Sequence, residues 1–558
     1  MTEWDAIVIG SGLGGLTCAA YLTAAGKRTL VLEQNQVAGG CSQVFRRKGN
    51  RYEFDVGMHY IGECHPEGRM TAALRGLGLD QRIEFRPLDP DGHSTLVFPG
   101  LTFRVPSDWD TYLERLAEAF PRERRRLRLA AGILRRVGTE LRRGELPGRS
   151  LRSLLRFARS APTLATLGQL PLSRLFALCR LSPLARAVLV GESGDYGTPP
   201  SRSSVALHGG FLDHYLTGGA WYPRGGGQVL PAQLIDVIAT HGGAVRTKTR
   251  VRRILVENGT VTGVELDGGE RVQAPIVVSG ADLKRTYLDL VGPEHLRPQT
   301  VARIGKYRMA LPLFSVYLGL DIDLTERLPN STYWCYPHTD VEGVYRDVLE
   351  GRLPAEVPIF LTSASTKDPG NPHTAPAGHS TVEVMCLAPQ GTFWPSGDDY
   401  RRDADYLARK EKLTEQLIDR AATVIGGLRD HIVWQEASTP ATQERFTLST
   451  QGSCYGIEMA ADQIGPRRPG PRTEIRGLWL TGASTIWGNG IVGAVSSGLG
   501  TAGAILRRPL SAEVRAGAVL ADPAKLSPIG PNWDPLAASK PSSPLRRRSR
   551  TGSGRTER

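Results

Sequence analysis

A short segment near the N-terminus constrains the fold more than any other part of this 558-residue chain. It opens with the apolar run Ala6–Ile9, passes through a glycine turn into a helical stretch at residues 13–25, and ends in a second apolar run, Thr29–Leu32. Short apolar runs of this kind are typical of buried parallel strands, and a helix between two of them makes a βαβ unit. The segment therefore predicts a Rossmann-like α/β domain.

The glycine spacing at the turn indicates what this unit binds. The turn reads Gly10-x-Gly12-x-x-Gly15, and Glu33 follows the second apolar run. In such a unit the first glycine permits a tight turn, the second lets the backbone approach a pyrophosphate, and the third lets helix and strand pack closely. An acid at the end of the second strand can bond ribose hydroxyls. We therefore predict a dinucleotide site rather than a purely structural turn.

Two motifs after this acid narrow the choice of dinucleotide. The first is Gly39-Gly40-Cys41-Ser42, and the second is YEFDVGMHYIG at residues 52–62. Together they resemble the phytoene desaturase-like flavoproteins, and within them the branch that contains retinol saturase and carotenoid isomerase. Three later runs resemble the same branch, namely GDYGTPPS at 194–201, GSCYG at 452–456 and GNGIVGA at 488–494. The resemblance thus extends over most of residues 1–508.

The resemblance implies a Rossmann-like FAD-binding domain assembled from discontinuous segments, with an inserted α+β substrate domain. We expect FAD-binding segments at residues 1–105, 217–285 and 472–508, a helical substrate- or membrane-facing insertion at 106–216, and a substrate domain at 286–471. The remaining segment, 509–558, loses hydrophobic periodicity and becomes rich in Pro, Ser, Gly and Arg. This composition predicts a basic, disordered tail.

The residues expected to hold FAD come from the fingerprint and from the motifs that carry the resemblance. In the family, the segment around residues 54–59 runs near the isoalloxazine, and a late apolar strand delivers a glycine turn to the cofactor. The expected FAD-binding residues are Gly10, Gly12, Leu13, Gly14, Gly15, Glu33, Gln34, Gly39, Gly40, Cys41, Ser42, Gly57, Met58, His59, Val251, Gly280, Gly482, Ala483, Gly490, Ile491, Val492 and Ala494.

The family's chemistry implies the reaction. FAD exchanges hydride at its N5 atom, so the protein has to position the substrate and move a proton. The substrate implied is a polyene or another hydrophobic, isoprenoid-like conjugated chain, and the favoured reaction is saturation of one C=C bond. Candidate proton donors are His59 and Tyr60 in the first motif and Asp195 and Tyr196 in the second. Each also has a structural explanation, such as a bond to nearby backbone or the capping of a turn.

Other functions stay open at this point. The same cofactor would serve a carotenoid-type desaturase or isomerase, and a non-catalytic flavin-containing protein that binds membranes or nucleic acid is a third interpretation. The chain contains a single dinucleotide fingerprint. If NAD(P)H is the electron donor, it therefore has to use the substrate cavity, and a quinone or oxygen would accept electrons in the oxidative direction.

The net charge of +13 is concentrated in two segments. Residues 122–160 contain 13 arginines and three acids, and residues 540–558 contain six arginines and one lysine against one glutamate. The rest of the chain is slightly acidic. The first segment has an apolar helical face flanked by arginines, which suits peripheral association with an anionic membrane and equally suits an ordinary solvated helix. Few aromatic side chains accompany these arginines, so no specific nucleic acid is expected.

The cysteines and the first residues bear on metal sites and location. Seven cysteines are scattered without a CxxC pair, which indicates reduced thiols rather than a zinc site or a disulfide framework. No metal is expected. No signal peptide precedes the fingerprint, so we expect a cytoplasmic protein that associates peripherally with the inner face of the membrane if residues 122–160 bind lipid. Nothing in the sequence indicates an oligomeric state.

Overall fold

The computed structural model describes residues 3–143, 151–389, 391–395 and 399–541. Its strands, in chain order, are β1 (Ala6–Ile9), β2 (Thr29–Leu32), β3 (Val44–Arg47), β4 (Tyr52–Asp55), β5 (Ile61–Gly62), β6 (Phe85–Pro87), β7 (Ser94–Phe98), β8 (Leu101–Val105), β9 (Ala220–Pro223), β10 (Ala244–Arg246), β11 (Val251–Glu257), β12 (Thr260–Leu266), β13 (Arg271–Gln273), β14 (Val277–Ser279), β15 (Leu313–Leu320), β16 (Thr332–Cys335), β17 (Ile359–Thr362), β18 (Ser380–Leu387), β19 (Ile432–Ser438) and β20 (Leu478–Leu480).

Helices connect and cover these strands. In chain order the α-helices are α1 (Leu13–Ala24), α2 (Arg69–Arg75), α3 (Trp109–Ala119), α4 (Arg124–Arg143), α5 (Leu151–Ser160), α6 (Pro162–Leu167), α7 (Leu172–Leu178), α8 (Pro183–Leu189), α9 (Val205–Gly218), α10 (Val229–Thr240), α11 (Leu283–Arg285), α12 (Pro298–Lys306), α13 (Val341–Leu349), α14 (Ala364–Lys367), α15 (Ala404–Ala421), α16 (Pro440–Thr447), α17 (Gly490–Leu506), α18 (Leu510–Arg515) and α19 (Pro535–Ala538).

The fold has two parts, each built on a large sheet. The first part, which we call the first half of the fold, contains a parallel sheet of order β10-β2-β1-β14-β20. In register, Val8 of β1 lies between Val31 of β2 and Val278 of β14. Every residue of β1 and β2 is buried, as expected for parallel strands covered on both faces. The parallel sheet confirms the predicted α/β fold. Its strands come from widely separated parts of the chain, as predicted for a domain assembled from discontinuous segments.

Helices α1, α10 and α17 pack around this sheet, with α1 between the other two. The crossing of α1 and α17 depends on glycine, because a Cβ built on Gly498 would lie 2.4 Å from the carbonyl oxygen of Gly14. Helix α1 follows β1, and α17 follows β20 after a short loop. Both helices therefore begin at the carboxyl end of the sheet, where ligands bind in folds of this type.

A second sheet is mixed and has the order β19-β15-β18-β17-β16-β7-β8. Strand β7 pairs parallel with β16, placing Leu96 beside Trp334. Strands β7 and β8 lie within residues 94–105, so the assignment of these residues to the first FAD-binding segment is wrong. Their buried side chains, including Leu96 and Phe103, belong to the core that also contains Trp334 and Phe360. The sequence shows alternation along each strand but not which sheet it joins.

Helices α3 to α9 form a layer beside the second sheet. Helix α4 packs along α9, where a Cβ on Gly138 would lie 2.5 Å from the carbonyl oxygen of Gly209. Asp213 of α9 accepts hydrogen bonds from Trp109 Nε1 at 3.0 Å and from Arg142 Nε at 2.8 Å. Three helices are therefore joined at one buried carboxylate.

The C-terminal strap, residues 509–541, packs on the first half of the fold. Leu510 and Val514 are buried in its core, and Arg46 donates to both oxygens of Asp534 at 2.8 and 2.7 Å. The prediction of a disordered tail is therefore wrong for this part, because apolar and ionic contacts hold it. Residues 542–558, and residues 144–150 of the basic segment, lie outside the described residues. None of the helices in the described ranges combines the length and the hydropathy of a membrane-spanning segment.

Candidate functional site

A cavity lies at the carboxyl ends of β1, β2, β14 and β20 and encloses about 1710 Å³, including the part open to solvent. We call it the dinucleotide cavity. It collects residues from each discontinuous segment of the first sheet. The predicted FAD-binding residues that line it are Gly10, Gly12, Leu13, Gly14, Gly15, Glu33, Gln34, Gly39, Gly40, Cys41, Ser42, Gly57, Val251, Gly280, Gly482, Ala483, Gly490, Ile491 and Ala494.

The glycines of this cavity have two different roles. A Cβ on Gly15 would lie 2.3 Å from the carbonyl oxygen of Gly10, and a Cβ on Gly40 would lie 2.9 Å from the Cα of Gly12, so these glycines are required for packing. A Cβ on Gly12, Gly482 or Gly490 would meet no protein atom within 4 Å. These positions leave a backbone-lined space, as a closely bound ligand requires.

Two helix N-termini open onto the same cavity. Gly12 is the N-cap of α1 and Asn489 is the N-cap of α17, and neither helix has a side-chain hydrogen bond at its cap. The first backbone N–H groups of a helix lack partners within the helix and favour negative charge. Two uncapped N-termini at one glycine-lined cavity fit the diphosphate of a dinucleotide.

Glu33 is already oriented at the predicted ribose end. Its Oε2 accepts from the N–H and the hydroxyl of Ser11 at 2.9 and 2.6 Å, and its Oε1 accepts from the N–H of Asn35 at 2.8 Å. A carboxylate has about four acceptor positions, so one position remains for a further donor. Ser11 was not identified from sequence, although it lies inside the fingerprint.

Some predicted residues lie elsewhere. Met58 and Val492 are buried and line neither this cavity nor the second cavity described below, so their assignment as cofactor contacts is not supported by the structure. The cavity also contains residues that sequence analysis missed, including Arg250, Arg285 and Phe446. Arg250 lies in the loop before β11, Arg285 ends α11 and Phe446 lies in α16. None of these segments carries a recognisable motif, and only the assembled fold brings them to the fingerprint.

A second cavity, the apolar cavity, lies against the second sheet and encloses about 1140 Å³, including its open part. Its wall is mainly aromatic and aliphatic, and sequence analysis identified none of these apolar wall residues. The cavity suits a hydrophobic ligand with few polar groups. Its aromatic side chains are Tyr317, Trp334, Tyr336, Tyr345, Phe360 and Tyr455.

The two cavities share part of their walls. Cys41, Gly57, Cys454 and Tyr455 line both of them. Cys41 is exposed to solvent at this junction. A ligand in the dinucleotide cavity and a ligand in the apolar cavity would meet at these four residues.

Asp195 brings a titratable group to the apolar cavity. The Tyr60 hydroxyl donates to Asp195 Oδ2. Burial raises the pKa of Asp195 to about 8, with the hydrogen bond from Tyr60 acting in the opposite direction and the Glu192 carboxylate adding to the rise. Asp195 is therefore largely protonated at pH 7, and Tyr60, which lines neither cavity, acts through it.

His59 also lines the apolar cavity, but its environment differs. Burial and the nearby Lys367 ammonium lower the pKa of His59 to about 3, so the imidazole is neutral at pH 7. Its Nδ1 lies 3.1 Å from Glu383 Oε2 without hydrogen-bond alignment. A neutral imidazole is a poorer proton donor than a protonated carboxyl group, so the structure favours Asp195 over His59.

A buried polar cluster lies behind His59. Lys367 Nζ donates to the carbonyl oxygen of His59 at 2.5 Å and to the Thr362 hydroxyl. Glu383 Oε1 accepts from the Asp55 N–H at 2.8 Å, and burial raises the pKa of both carboxyl groups. Asp55 lies in a motif singled out from sequence, whereas Lys367 and Glu383 are on elements that carry no local signal. The cluster fixes the backbone of residues 55–59 beside the cavities.

Tyr196 does not belong to the site wall. Its hydroxyl lies 3.0 Å from His208 Nδ1, and His208 Nε2 lies 2.8 Å from the carbonyl oxygen of Leu189. Tyr196 lines neither cavity. Its place as a candidate proton donor is therefore corrected to that of a buried residue that supports His208, which in turn links α9 to α8.

The chain is similar to several known proteins. The human all-trans-retinol 13,14-reductase is 30% identical over 538 residues, covering 92% of this chain and 87% of that protein. Prolycopene isomerase 1 of an Oncidium hybrid cultivar is 27% identical over 514 residues, with 89% and 83% covered. The structure of cyclohexylamine oxidase from Brevibacterium oxydans superposes with a TM-score of 0.54 at 17% identity, with 90% and 99% covered.

A family model decides the affiliation. The model described as flavin containing amine oxidoreductase matches residues 13–506, which begin at the fingerprint helix and end with α17. The match therefore includes the first sheet except β1, the apolar cavity, the polar cluster behind His59, and the dinucleotide cavity apart from residues 9–12. On this evidence, the chain belongs to the flavin-containing amine oxidoreductase family, and FAD is its cofactor.

Proposed function

We propose that this protein binds FAD in the dinucleotide cavity and uses it to saturate a C=C bond of a long, apolar polyene held in the apolar cavity. The observation that carries the proposal is the shared wall at Cys41, Gly57, Cys454 and Tyr455, where the cofactor space meets an aromatic, largely apolar space. The proposal is supported by a relative named for the reduction of all-trans-retinol.

The glycines at 12, 482 and 490 and the N-termini of α1 and α17 would hold the diphosphate, and Glu33 would bond the ribose. Bound FAD supplies hydride exchange at its N5 atom. The aromatic wall excludes water and holds the conjugated chain. Asp195, protonated at pH 7 and facing the cavity, gives its proton to the carbon next to the one that receives hydride, while Tyr60 holds the carboxyl group in place.

The test is anaerobic. The purified holoprotein is photoreduced, all-trans-retinol is added, and the return of oxidised-flavin absorbance is followed while the product is analysed by mass. We expect reoxidation with a product two hydrogens heavier than the polyene. In Asp195→Asn the rate should fall by about 10²-fold, the usual contribution of a general acid. Failure of retinol and of carotenes to restore the oxidised spectrum would contradict the proposal.

The second candidate is isomerisation of a polyene, because another relative of similar coverage is named a prolycopene isomerase. The polyene would lie in the same cavity, and Asp195 would first donate a proton to it and then take one back. There would be no net transfer of hydride to the polyene. In that case the flavin stays reduced, the polyene changes geometry and its mass is unchanged. The photoreduction experiment therefore separates the two reactions in one sample.

For the supply of electrons we propose NAD(P)H, bound transiently at the apolar cavity. The chain has one dinucleotide fingerprint, which the FAD site uses, and the apolar cavity shares the wall at Tyr455 with the cofactor space. Bleaching of the flavin by NADPH or NADH under anaerobic conditions, competed by the polyene, supports this donor. Photoreduction reduces the flavin without NAD(P)H. The identity of the electron donor and the reaction of the polyene are therefore tested in separate experiments.

We also propose that the helical layer contacts an anionic membrane surface from which the apolar substrate is taken. Helix α4 and helix α5 carry most of the arginines of residues 122–160. Leu129, Leu155 and Leu178 in the same layer are 59%, 51% and 75% exposed. Exposed leucines among arginines suit a lipid interface, where both headgroup charge and shallow apolar insertion contribute to binding.

A further inference from the structure

Two buried ionisable side chains, Glu192 and His93, lie near Asp195 and line neither cavity. Glu192 and His93 are 5% and 0% exposed. Glu192 Oε1 lies 3.6 Å from His93 Nε2, and both atoms lack a hydrogen-bond partner among the described residues. A buried carboxylate that has neither a hydrogen bond nor a charged partner is strongly unfavourable. At ion-pair distance from each other, the two side chains form a buried acid–base pair.

The backbone aligns this pair with Asp195. Residues 193–195 form a single 3-10 turn, with Glu192 at its N-cap, and the Asp195 N–H donates to the Glu192 carbonyl at 3.1 Å. In a 3-10 helix the side chains at positions i and i+3 eclipse one another. Glu192 and Asp195 therefore project from the same face of the turn, and the Glu192 carboxylate raises the pKa of Asp195.

The pair also has a route to the surface. His93 Nδ1 lies 3.4 Å from the Ser107 hydroxyl, and Ser107 is half-buried. The Thr332 N–H donates to the carbonyl oxygen of His93 at 3.0 Å, which fixes the histidine at the edge of the second sheet. Ser107, His93 and Glu192 thus follow one another inward from the surface, and Glu192 shares a face of the turn with Asp195 at the apolar cavity.

The other groups that face Glu192 are mostly neutral. Its charge raises the pKa of four tyrosines and opposes the lowering of the pKa of His208, whose value of about 4 leaves it neutral. His93 is the one basic side chain within ion-pair distance of Glu192 in the described part of the chain. Asp195, Glu192 and His93 are therefore the side chains of this region that can pass a proton from one to the next. The tyrosines concerned are Tyr60, Tyr112, Tyr215 and Tyr336.

We propose that Glu192 and His93 form the proton supply of Asp195, an inference that rests on the proposed role of Asp195 as the acid. When the Asp195 O–H bond breaks and a substrate C–H bond forms, Asp195 becomes a carboxylate. It then takes a proton from the Glu192–His93 pair, and the pair takes one from water through Ser107. No electrons move in these steps. Glu192 and His93 are positioning residues, since neither lines the cavity.

The test follows proton exchange without substrate. The holoprotein is mixed rapidly with D₂O, and the infrared band of the protonated Asp195 carboxyl group, identified by its loss in Asp195→Asn, is followed as it shifts on deuteration. We expect exchange in Glu192→Gln and His93→Ala to be slower by at least about tenfold, and added imidazole to restore exchange in His93→Ala alone. Equal exchange rates in wild type and both variants would overturn the proposal.

Controls keep a structural effect apart from a proton effect. Glu192→Asp retains the acid and should exchange close to the wild-type rate, and the exposed Glu114→Gln on α3 should leave the rate unchanged. Thermal melting and the flavin spectrum show whether each variant is folded and loaded. The exchange experiment uses no polyene, so it gives its result even if the photoreduction test rejects the proposed reaction. A normal rate in both Glu192 variants would also overturn the proposal.

Discussion

At the scale of single residues, two glycines three positions apart have different roles: one is required for packing and the other leaves space for a ligand. Gly15 is in tight contact with the backbone of Gly10, whereas Gly12 faces open space in the dinucleotide cavity. Gly12 has φ −61°, a value that alanine adopts without strain. A methyl group at one position therefore disturbs the protein, and at the other it occupies the ligand's place.

This difference predicts a contrast between two conservative variants. Gly12→Ala should leave the melting temperature of the apoprotein unchanged and sharply reduce its FAD content, because the added methyl group enters the cofactor space. Gly15→Ala should destabilise apoprotein and holoprotein alike, by about 1–3 kcal/mol as for other overpacked sites. Thermal melts of both forms and the flavin-to-protein absorbance ratio measure the two effects. Equal FAD content in Gly12→Ala and wild type would contradict the assignment of the cavity.

Asp195 gives a prediction about pH. Its folded-state pKa is raised from 3.8 to about 8, so its contribution to stability is complete below pH 4 and is lost as the pH rises towards 8. Asparagine does not titrate and can still accept the hydrogen bond from Tyr60. The gain in stability of Asp195→Asn over wild type should therefore grow between pH 5 and pH 8, to the order of a few kcal/mol.

Melting temperatures of wild type and Asp195→Asn across this pH range provide the measurement. Asp110→Asn, at an exposed position on α3, is the matched control and should show no such growth. A constant difference between Asp195→Asn and wild type from pH 5 to pH 8 would mean that Asp195 is ionised throughout, and the proposed acid would then be wrong.

At the scale of elements, sequence patterns predicted units formed by neighbouring residues and missed contacts between distant segments of the chain. The β1-α1-β2 unit, Glu33 and the glycine turns were predictable because each depends on a few neighbouring residues. The partners of β7 and β8 were not, since alternation along a strand does not specify its sheet. Lys367 and Glu383 carry no motif and reach Asp55 only through the folding of separate strands. The strap was predicted to be disordered from its composition, but composition does not show the contacts that individual residues such as Asp534 make.

The strap leads to a prediction about cofactor retention. Asp534 holds Arg46 on β3, and the carbonyl oxygen of Ser539 accepts from the Ala38 N–H at 2.9 Å, next to Gly39 in the cavity wall. Asp534→Ala should lower stability by about 1.5–3 kcal/mol, the usual contribution of hydrogen bonds to charged groups, and should speed the release of FAD.

Dialysis against high salt, or stopped-flow fluorescence of released flavin, measures that rate. Glu513→Ala is the matched control, because Glu513 pairs with Arg508 within the same region at 2.6 Å but does not touch the cofactor loop. Faster release in Asp534→Ala and an unchanged rate in Glu513→Ala are the expected pair of results. Equal release from both variants would show that the strap does not act on the FAD site.

At the scale of the whole molecule, the charge distribution separates one face from the rest. The two basic segments account for more than the net charge of +13, and most of the first one lies in the helical layer. Near an anionic membrane each exposed arginine contributes roughly 1 kcal/mol to binding. The molecule should therefore approach such a surface with its helical layer first.

The membrane proposal is tested by matched charge removal. Replacing Arg152, Arg156 and Arg159 of α5 by glutamine should weaken sedimentation with phosphatidylserine vesicles by about 10²-fold, since roughly 1 kcal/mol is lost per arginine. The control replaces three arginines outside this layer, Arg253, Arg271 and Arg507, by the same residue. Binding should also weaken with added salt. Equal sedimentation of the two triple variants would contradict the proposal.

The order in which the chain enters its sheets has a consequence for synthesis on the ribosome. Strand β1 is made first, but its neighbour β14 follows some 270 residues later, and β20 completes that sheet only near residue 480. Strand β7 is likewise synthesised long before its partner β16. Apolar edges of both halves thus stay open through most of translation, and unpaired edges favour aggregation. Chaperone supply and slow expression at low temperature should accordingly set the yield of intact protein.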